Sequence, residues 1–127
     1  TIDIRDVMRL EHPRGTLTVG TFTGAGTSGI TVFSSSTNVL DGVVLNTAID
    51  MSSNVSSRER VINGLTLNGT VSIDNSGIID FVGTQTVDGS GVFEFGGNGS
   101  NRFDLSGTGT TTLESGITIR GESGVIG

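Results

Sequence analysis

The feature that most constrains this chain is the shortness of its apolar segments. From Gly64 onward one unit recurs: apolar, polar, apolar, then a turn of Gly, Asn, Asp or Ser. In order these are Leu65-Thr66-Leu67, Val71-Ser72-Ile73, Ile79-Asp80-Phe81, Phe93-Glu94-Phe95, Phe103-Asp104-Leu105 and Ile117-Thr118-Ile119. Leu17-Thr18-Val19 and Ile30-Thr31-Val32 extend the pattern upstream. A period of two places the flanking apolar side chains on one face and the middle residue in water. Strands of about three residues are too short for a hairpin sandwich, whose strands run about five or six. They suit a parallel β-solenoid, where each strand pairs with its counterpart one turn on.

A solenoid demands a repeat, and several fragments supply one near 22 residues. Leu45-Asn46 recurs as Leu67-Asn68, a shift of 22. Ser28-Gly29-Ile30-Thr31-Val32 recurs as Ser115-Gly116-Ile117-Thr118-Ile119, 87 residues on, close to four turns. Thr37-x-x-Leu40-Asp41-Gly42 recurs as Thr84-x-x-Val87-Asp88-Gly89, 47 residues on, or about two turns. The expectation is an all-β parallel β-helix of about five rungs of roughly 22 residues, some 25 Å tall at about 4.8 Å per rung. One rung holds strands near Val43, Ile49 and Val61, and the next Leu65, Val71 and Ile79. Above them come Val87, Phe93 and Phe103, then Leu113, Ile117 and Val125.

Composition agrees. Gly, Thr, Ser and Asn make up 62 of 127 residues, and Val, Ile and Thr supply 42 β-branched ones, against two Ala, one Gln and no Lys. That excludes a helical bundle and disfavours an α/β fold. Corners that turn within two or three residues often need positive φ, which Gly accepts and Asn tolerates. Asn46 and Asn68 form either a ladder between stacked corners or two ordinary Asx turns. Residues 1–14 stand apart as a charged junction or a first partial rung, with residues 15–127 as the β-helix. In that first segment Ile2 and Ile4 alternate as a strand would, and Asp6 to Glu11 suit a short helical turn. Ser52 to Arg60 is polar and reads as an outward loop.

Several function classes close quickly. Without Cys there is no disulfide framework and no Cys-based zinc or redox site. A net charge of −6, with 13 acids against 7 Arg, argues against nucleic acid and against an anionic membrane surface. No apolar run is long enough to span a bilayer. The absence of Trp and Tyr weakens an aromatic carbohydrate platform and an aromatic interaction hot spot. The chain opens on Thr1 without Met, as a processed product or a piece of a longer protein would, so a missing targeting segment carries no weight.

The chemistry-bearing residues are few. His12 is the only imidazole, so any Ser-His-Asp relay must use it; it sits beside Pro13, outside the repeat, and reads as structural. Asp80, Glu94 and Asp104 are middle residues of strands and read as a solvated face rather than as carboxylates converging on a groove. Gly96-Gly97-Asn98-Gly99-Ser100-Asn101 nearly matches a calcium-binding nonapeptide, with Asn101 where that motif has Asp. Thr16-x-Thr18, Thr21-x-Thr23, Thr84-x-Thr86 and Thr110-x-Thr112 suggest an ice-binding array, but their intervals of 5, 63 and 26 are not multiples of 22. Asn54, Asn68 and Asn98 begin sequons of the kind that arise by chance in such a sequence. No residue is assigned to catalysis, to a cofactor or to a metal.

The stretch from Leu40 to Gly127 resembles the β-helix repeat regions of large secreted bacterial surface proteins, the filamentous-haemagglutinin-like adhesins and autotransporter-type passengers. The matching features are Leu40-Asp41-Gly42-Val43, Gly64-Leu65-Thr66-Leu67-Asn68-Gly69-Thr70, Gly83-Thr84-Gln85-Thr86-Val87-Asp88-Gly89 and Gly116-Ile117-Thr118-Ile119-Arg120-Gly121, with Thr21 to Val32 fitting more loosely. The resemblance implies a right-handed solenoid exported from the cell and used as a stalk, fibre or adhesive surface. It carries no catalytic residues. The expected function is a non-enzymatic structural segment at the cell surface, partnered through its open ends by other copies or adjacent repeats. The alternative is a module that binds glycan or a surface.

Overall fold

The computed structural model describes residues 2–3, 9–24 and 29–127. Among the described residues sixteen strands run in chain order. They begin with β1 (Ile2–Asp3), β2 (Arg9–His12), β3 (Gly15–Thr18), β4 (Thr21–Thr23), β5 (Gly29–Val32) and β6 (Asn38–Asn46). Next come β7 (Ala48–Met51), β8 (Arg58–Leu67), β9 (Thr70–Ile73), β10 (Ile78–Val82) and β11 (Gln85–Gly89). The last are β12 (Val92–Phe95), β13 (Arg102–Ser106), β14 (Thr111–Leu113), β15 (Thr118–Gly121) and β16 (Val125–Ile126). Every pairing among the described strands is parallel, and the strands stack as a β-solenoid of about five turns of roughly 22 residues. No helix of the described residues is long and apolar enough to cross a membrane.

The strands form two sheets. One is a six-strand stack, β2-β5-β7-β9-β12-β15. The other has ten strands and bends around a corner, because β6 and β8 each continue past it. Below, β6 pairs with β3 before the bend and β4 after it; above, β8 pairs with β10 and β11. The bend needs backbone that side chains resist: Gly42 (φ 60°), Asn63 (φ 57°) and Gly64 (φ 89°) lie in the left-handed region.

Inward residues stack into apolar columns. Val43, Leu65, Val87 and Leu113 lie above one another, at intervals of 22, 22 and 26, as the repeat predicts. Ile30, Ile49, Val71, Phe93 and Ile119 make a second column, so the counterpart of Ile30 is Ile119 and not Ile117. In the third column Ile79 and Phe103 pair as expected, but Glu59 lies beneath Ile79, while Val61 pairs with Phe81. At the top Ile126, not Val125, sits over Phe103.

One cause of this drift is the corner, which lengthens up the stack; the other is the connection that follows the six-strand sheet, which runs from six residues (52–57) to four (74–77) and back to six (96–101). Two residues (41–42) separate Leu40 from Val43, and three (62–64) separate Val61 from Leu65. Five (82–86) separate Phe81 from Val87, and seven (106–112) separate Leu105 from Leu113. Leu40-Asp41-Gly42 therefore enters the corner, whereas Val87-Asp88-Gly89 lies beyond it, and the two are not counterparts.

Phe81, Phe93 and Phe103 fill the middle of the core. Phe81 stacks on Phe103 with ring centroids 4.6 Å apart, and Phe93 meets both edge-on. Each buried aromatic or aliphatic side chain contributes roughly 1.5–3 kcal/mol, which offsets the ordering of a Gly-rich backbone. Burial fades at the top turn, where Leu105, Leu113, Val125 and Ile126 are exposed. Two sequence expectations change at the other end. Arg9–His12 is a strand paired with β5 rather than part of a helical turn, and Arg58–Arg60 opens β8 after the buried Ser57, so the outward segment is confined to residues 52–56. Ile4, Asp6, Val7, Met8 and Ser28, on which other expectations rest, lie outside the described residues.

Candidate functional site

The most unusual chemistry lies inside the solenoid. His12 is buried and bridges the two sheets: its Nδ1 lies 2.8 Å from Glu59 Oε2 and its Nε2 3.0 Å from the Gly15 carbonyl oxygen. The sequence placed His12 outside the repeat, but His12 pairs with Val32 in the first described turns of the six-strand sheet. Both ring nitrogens are engaged by Glu59 and Gly15, and among the described residues no serine hydroxyl takes the place a relay would need. Glu59 is fully buried in a column otherwise continued by Ile79 and Phe103. Burial alone would lower the imidazole pKa, yet the Glu59 carboxylate and the Gly15 carbonyl outweigh it and hold His12 above the usual histidine range. Burial pushes the Glu59 carboxyl up, and His12 offsets only part of that.

Three buried amides pin the corners. Asn38 donates through Nδ2 to the carbonyls of His12, Phe33 and Arg58, at 3.0 to 3.1 Å. Gln85 fills the widened bend: its Nε2 donates to the Val61 and Val82 carbonyls, and its Oε1 accepts from Gly64 N–H. Asn101 donates to the carbonyls of Gly96 and Ser123 and to Asp74 Oδ1, and accepts from Ser76 N–H. A carboxylate at position 101 could make none of those donations. The Asn that separates residues 96–101 from the calcium-loop pattern is therefore a corner plug. Asp74 stays below the usual carboxylate range because the Asn75 backbone N–H and then the Asn101 amide bond to its charged form.

The outward acids do not converge. Arg60, Asp80 and Asp104 succeed one another on one face, while Asp50, Ser72, Glu94 and Arg120 do so on the six-strand sheet. Asp104 pairs with Arg102 at 2.7 Å and Glu94 with Arg120 at 3.4 Å. Asp80 departs from the solvated-face expectation: it is 2% exposed, with Arg58 Nη2 3.3 Å from its Oδ2.

The Asn46–Asn68 ladder exists, Asn68 Nδ2 donating to Asn46 Oδ1 at 2.7 Å, and Asn63 makes the same contact to Asp41. Thr86 stacks beneath Thr112 despite the interval of 26, because the connection at 96–101 and the corner at 106–112 are each two residues longer than their counterparts one turn below. That array stops at two turns, since Asp88 lies over Thr66 and Thr16 lies under Val39. Of the sequon residues, Asn54 donates to the Val32 carbonyl, Asn68 is in the ladder and Asn98 closes an Asx turn on Ser100 N–H. A shallow cleft follows the bend, lined by Asn63, Thr66, Thr86 and Asp88 among others.

Sequence reasoning missed Glu59, Asn38 and Gln85. Their only signal was a polar residue in an inward register, visible once the columns are aligned. Comparison of the chain with protein-family models, with curated proteins and with solved structures finds no match.

Proposed function

We propose that the chain is a non-enzymatic structural segment of an extracellular, cell-surface β-solenoid, a stalk or fibre of the kind its repeats resemble. The observation that carries this reading is the uninterrupted parallel ladder β2-β5-β7-β9-β12-β15. Such a ladder grows by adding turns, each burying the one below. Leu105, Leu113, Val125 and Ile126 on the top turn suit cover by a further turn, from the same polypeptide or from another copy.

Light scattering and electron microscopy of the isolated chain test the reading. Concentration-dependent, end-to-end rods are expected. A dilute monomer that stays stable, together with glycan-array binding lost on Asp88→Asn in the bend cleft, would replace it with the glycan-binding alternative.

A further inference from the structure

Among the described residues, two buried acceptors in the lumen lack a donor: Glu59 Oε1 and Asn38 Oδ1. The Asn38 amide cannot turn over to help, because its Nδ2 already faces three carbonyl oxygens. The register that pairs Val39 with Arg60 carries Asn38 to the turn directly beneath Glu59. The third member of the group is His12, whose Nε2 faces a carbonyl that can only accept. That nitrogen therefore carries a hydrogen.

We propose that His12, Glu59 and Asn38 form a proton-binding clasp that ties the lowest turns to the middle of the stack and loosens as the medium turns alkaline. One proton belongs between Nδ1 and Oε2. Without it a lone pair and a carboxylate oxygen would face each other at 2.8 Å in a dry interior. A second proton, taken from the medium on acidification, adds to Glu59 Oε1 and is donated to Asn38 Oδ1. It breaks no existing hydrogen bond, and the register that sets Asn38 one turn below Glu59 puts Asn38 Oδ1 on the side from which Oε1 can be bonded. That gain is set against the single positive charge the protonated pair then carries. Acid thus completes the network, and alkali removes the proton that joins its two halves.

The other described charged side chains on the surrounding strands point away. Glu11 on β2 and Arg14 after it are exposed, and Arg58 and Arg60 flank Glu59 on the outer side of β8. Asp80 on β10 bonds Arg58, Asp41 on β6 bonds Asn63, and Asp50 on β7 bonds Ser52 and Ser53. Strands β3 and β5 carry no ionisable side chain. Among the described side chains, His12 and Glu59 are the ionisable pair in the lumen. Both are held above their ordinary values of 6.5 and 4.5, so the folded chain keeps protons that the unfolded chain gives up. Stability contributed by the clasp is full in acid and is lost as pH rises through the folded-state values.

The test combines melts followed by circular dichroism with a titration of the wild-type chain. Between about pH 6 and about pH 9 the wild-type Tm is expected to fall by roughly 5 °C, while the double variant His12→Phe, Glu59→Leu stays flat. Equal slopes would overturn the clasp. Should the double variant fail to fold, isotope-labelled NMR of the wild type decides. At about pH 8, where free imidazole is neutral and free glutamate ionised, the pair should still hold its joining proton. It would show as a doubly protonated ring or a protonated carboxyl. A neutral ring beside an ionised Glu59 at that pH refutes the proposal.

Discussion

Asn68 stands one turn above Asn46 and donates to its Oδ1 at 2.7 Å, while its own Oδ1 accepts Ser90 N–H of the next turn at 3.2 Å. One side chain thus links three turns at the same corner. Asn68→Ala removes both bonds, and because the site is exposed the expected cost is about 1 kcal/mol. Asn46→Ala removes only the lower bond and should cost less. The double variant should then be no worse than Asn68→Ala, a departure from additivity that a double-mutant cycle by chemical denaturation would detect. Fully additive losses would mean that the ladder contributes nothing.

Phe93 and Glu94 are chain neighbours with opposite fates. The Phe93 ring is buried between Phe81 and Phe103, whereas Glu94 is half-exposed and faces Arg120. Phe93→Asp would place an unpaired charge in that aromatic cluster and should abolish cooperative melting. Glu94→Thr loses one exposed ion pair, worth at most about 1 kcal/mol, and keeps strand propensity. Similar melts for the two variants would contradict the facing assigned to this strand.

That alternation is why the apolar columns could be read from residues alone. Val43, Leu65 and Val87 differ by 22 and share one phase of a period-two pattern, so their stacking follows from spacing. The third column could not be read in the same way. Glu59 takes an inward position that patterning reserves for an apolar residue, and its partner His12 is 47 residues away, beyond any local signal. The bend hid a second fact. Its growth from two residues to seven shifts later strands against a fixed repeat, so the resemblance between Leu40-Asp41-Gly42 and Val87-Asp88-Gly89 misled. Nor did local sequence show that Asp80, alternating outward, would be covered.

Two glycines separate crowding from backbone strain. A Cβ on Gly91 would fall on the Leu67 side chain and lie 2.7 Å from the Gly69 carbonyl oxygen, both belonging to the turn below. Gly83 has open space around it but sits at φ 80°. Gly83→Ala should cost about 1–2 kcal/mol, the price of a left-handed alanine. Gly91→Ala must push apart two stacked turns and should cost more, roughly 3 kcal/mol, with loss of amide protection in β9 and β12. Thermal melts with hydrogen exchange would rank them; the reverse order would show that the turns are not packed at this distance.

Asp50 gives the fold an acid limit of its own. Burial pulls its carboxyl upward, but the hydroxyls and backbone N–H groups of Ser53 and Ser52 outweigh this and bring it down to about 2 from the ordinary 3.8. A depressed carboxylate contributes stability that is complete above the unfolded value and lost as pH falls through the folded one, so the window runs from about pH 4 to about pH 2. Asp50 is half-buried and solvent screens part of the effect, which leaves on the order of 1 kcal/mol. Asp50→Asn keeps one acceptor oxygen but no charge, and loses the acceptor that the Ser53 hydroxyl uses. Near neutral pH the variant should be less stable than the wild type by about that amount, and the difference should shrink to nothing by about pH 2. Denaturant titrations at a series of pH values would check it. Curves that stay parallel down to the acid limit would show that the serine hydroxyls do not hold the charged form.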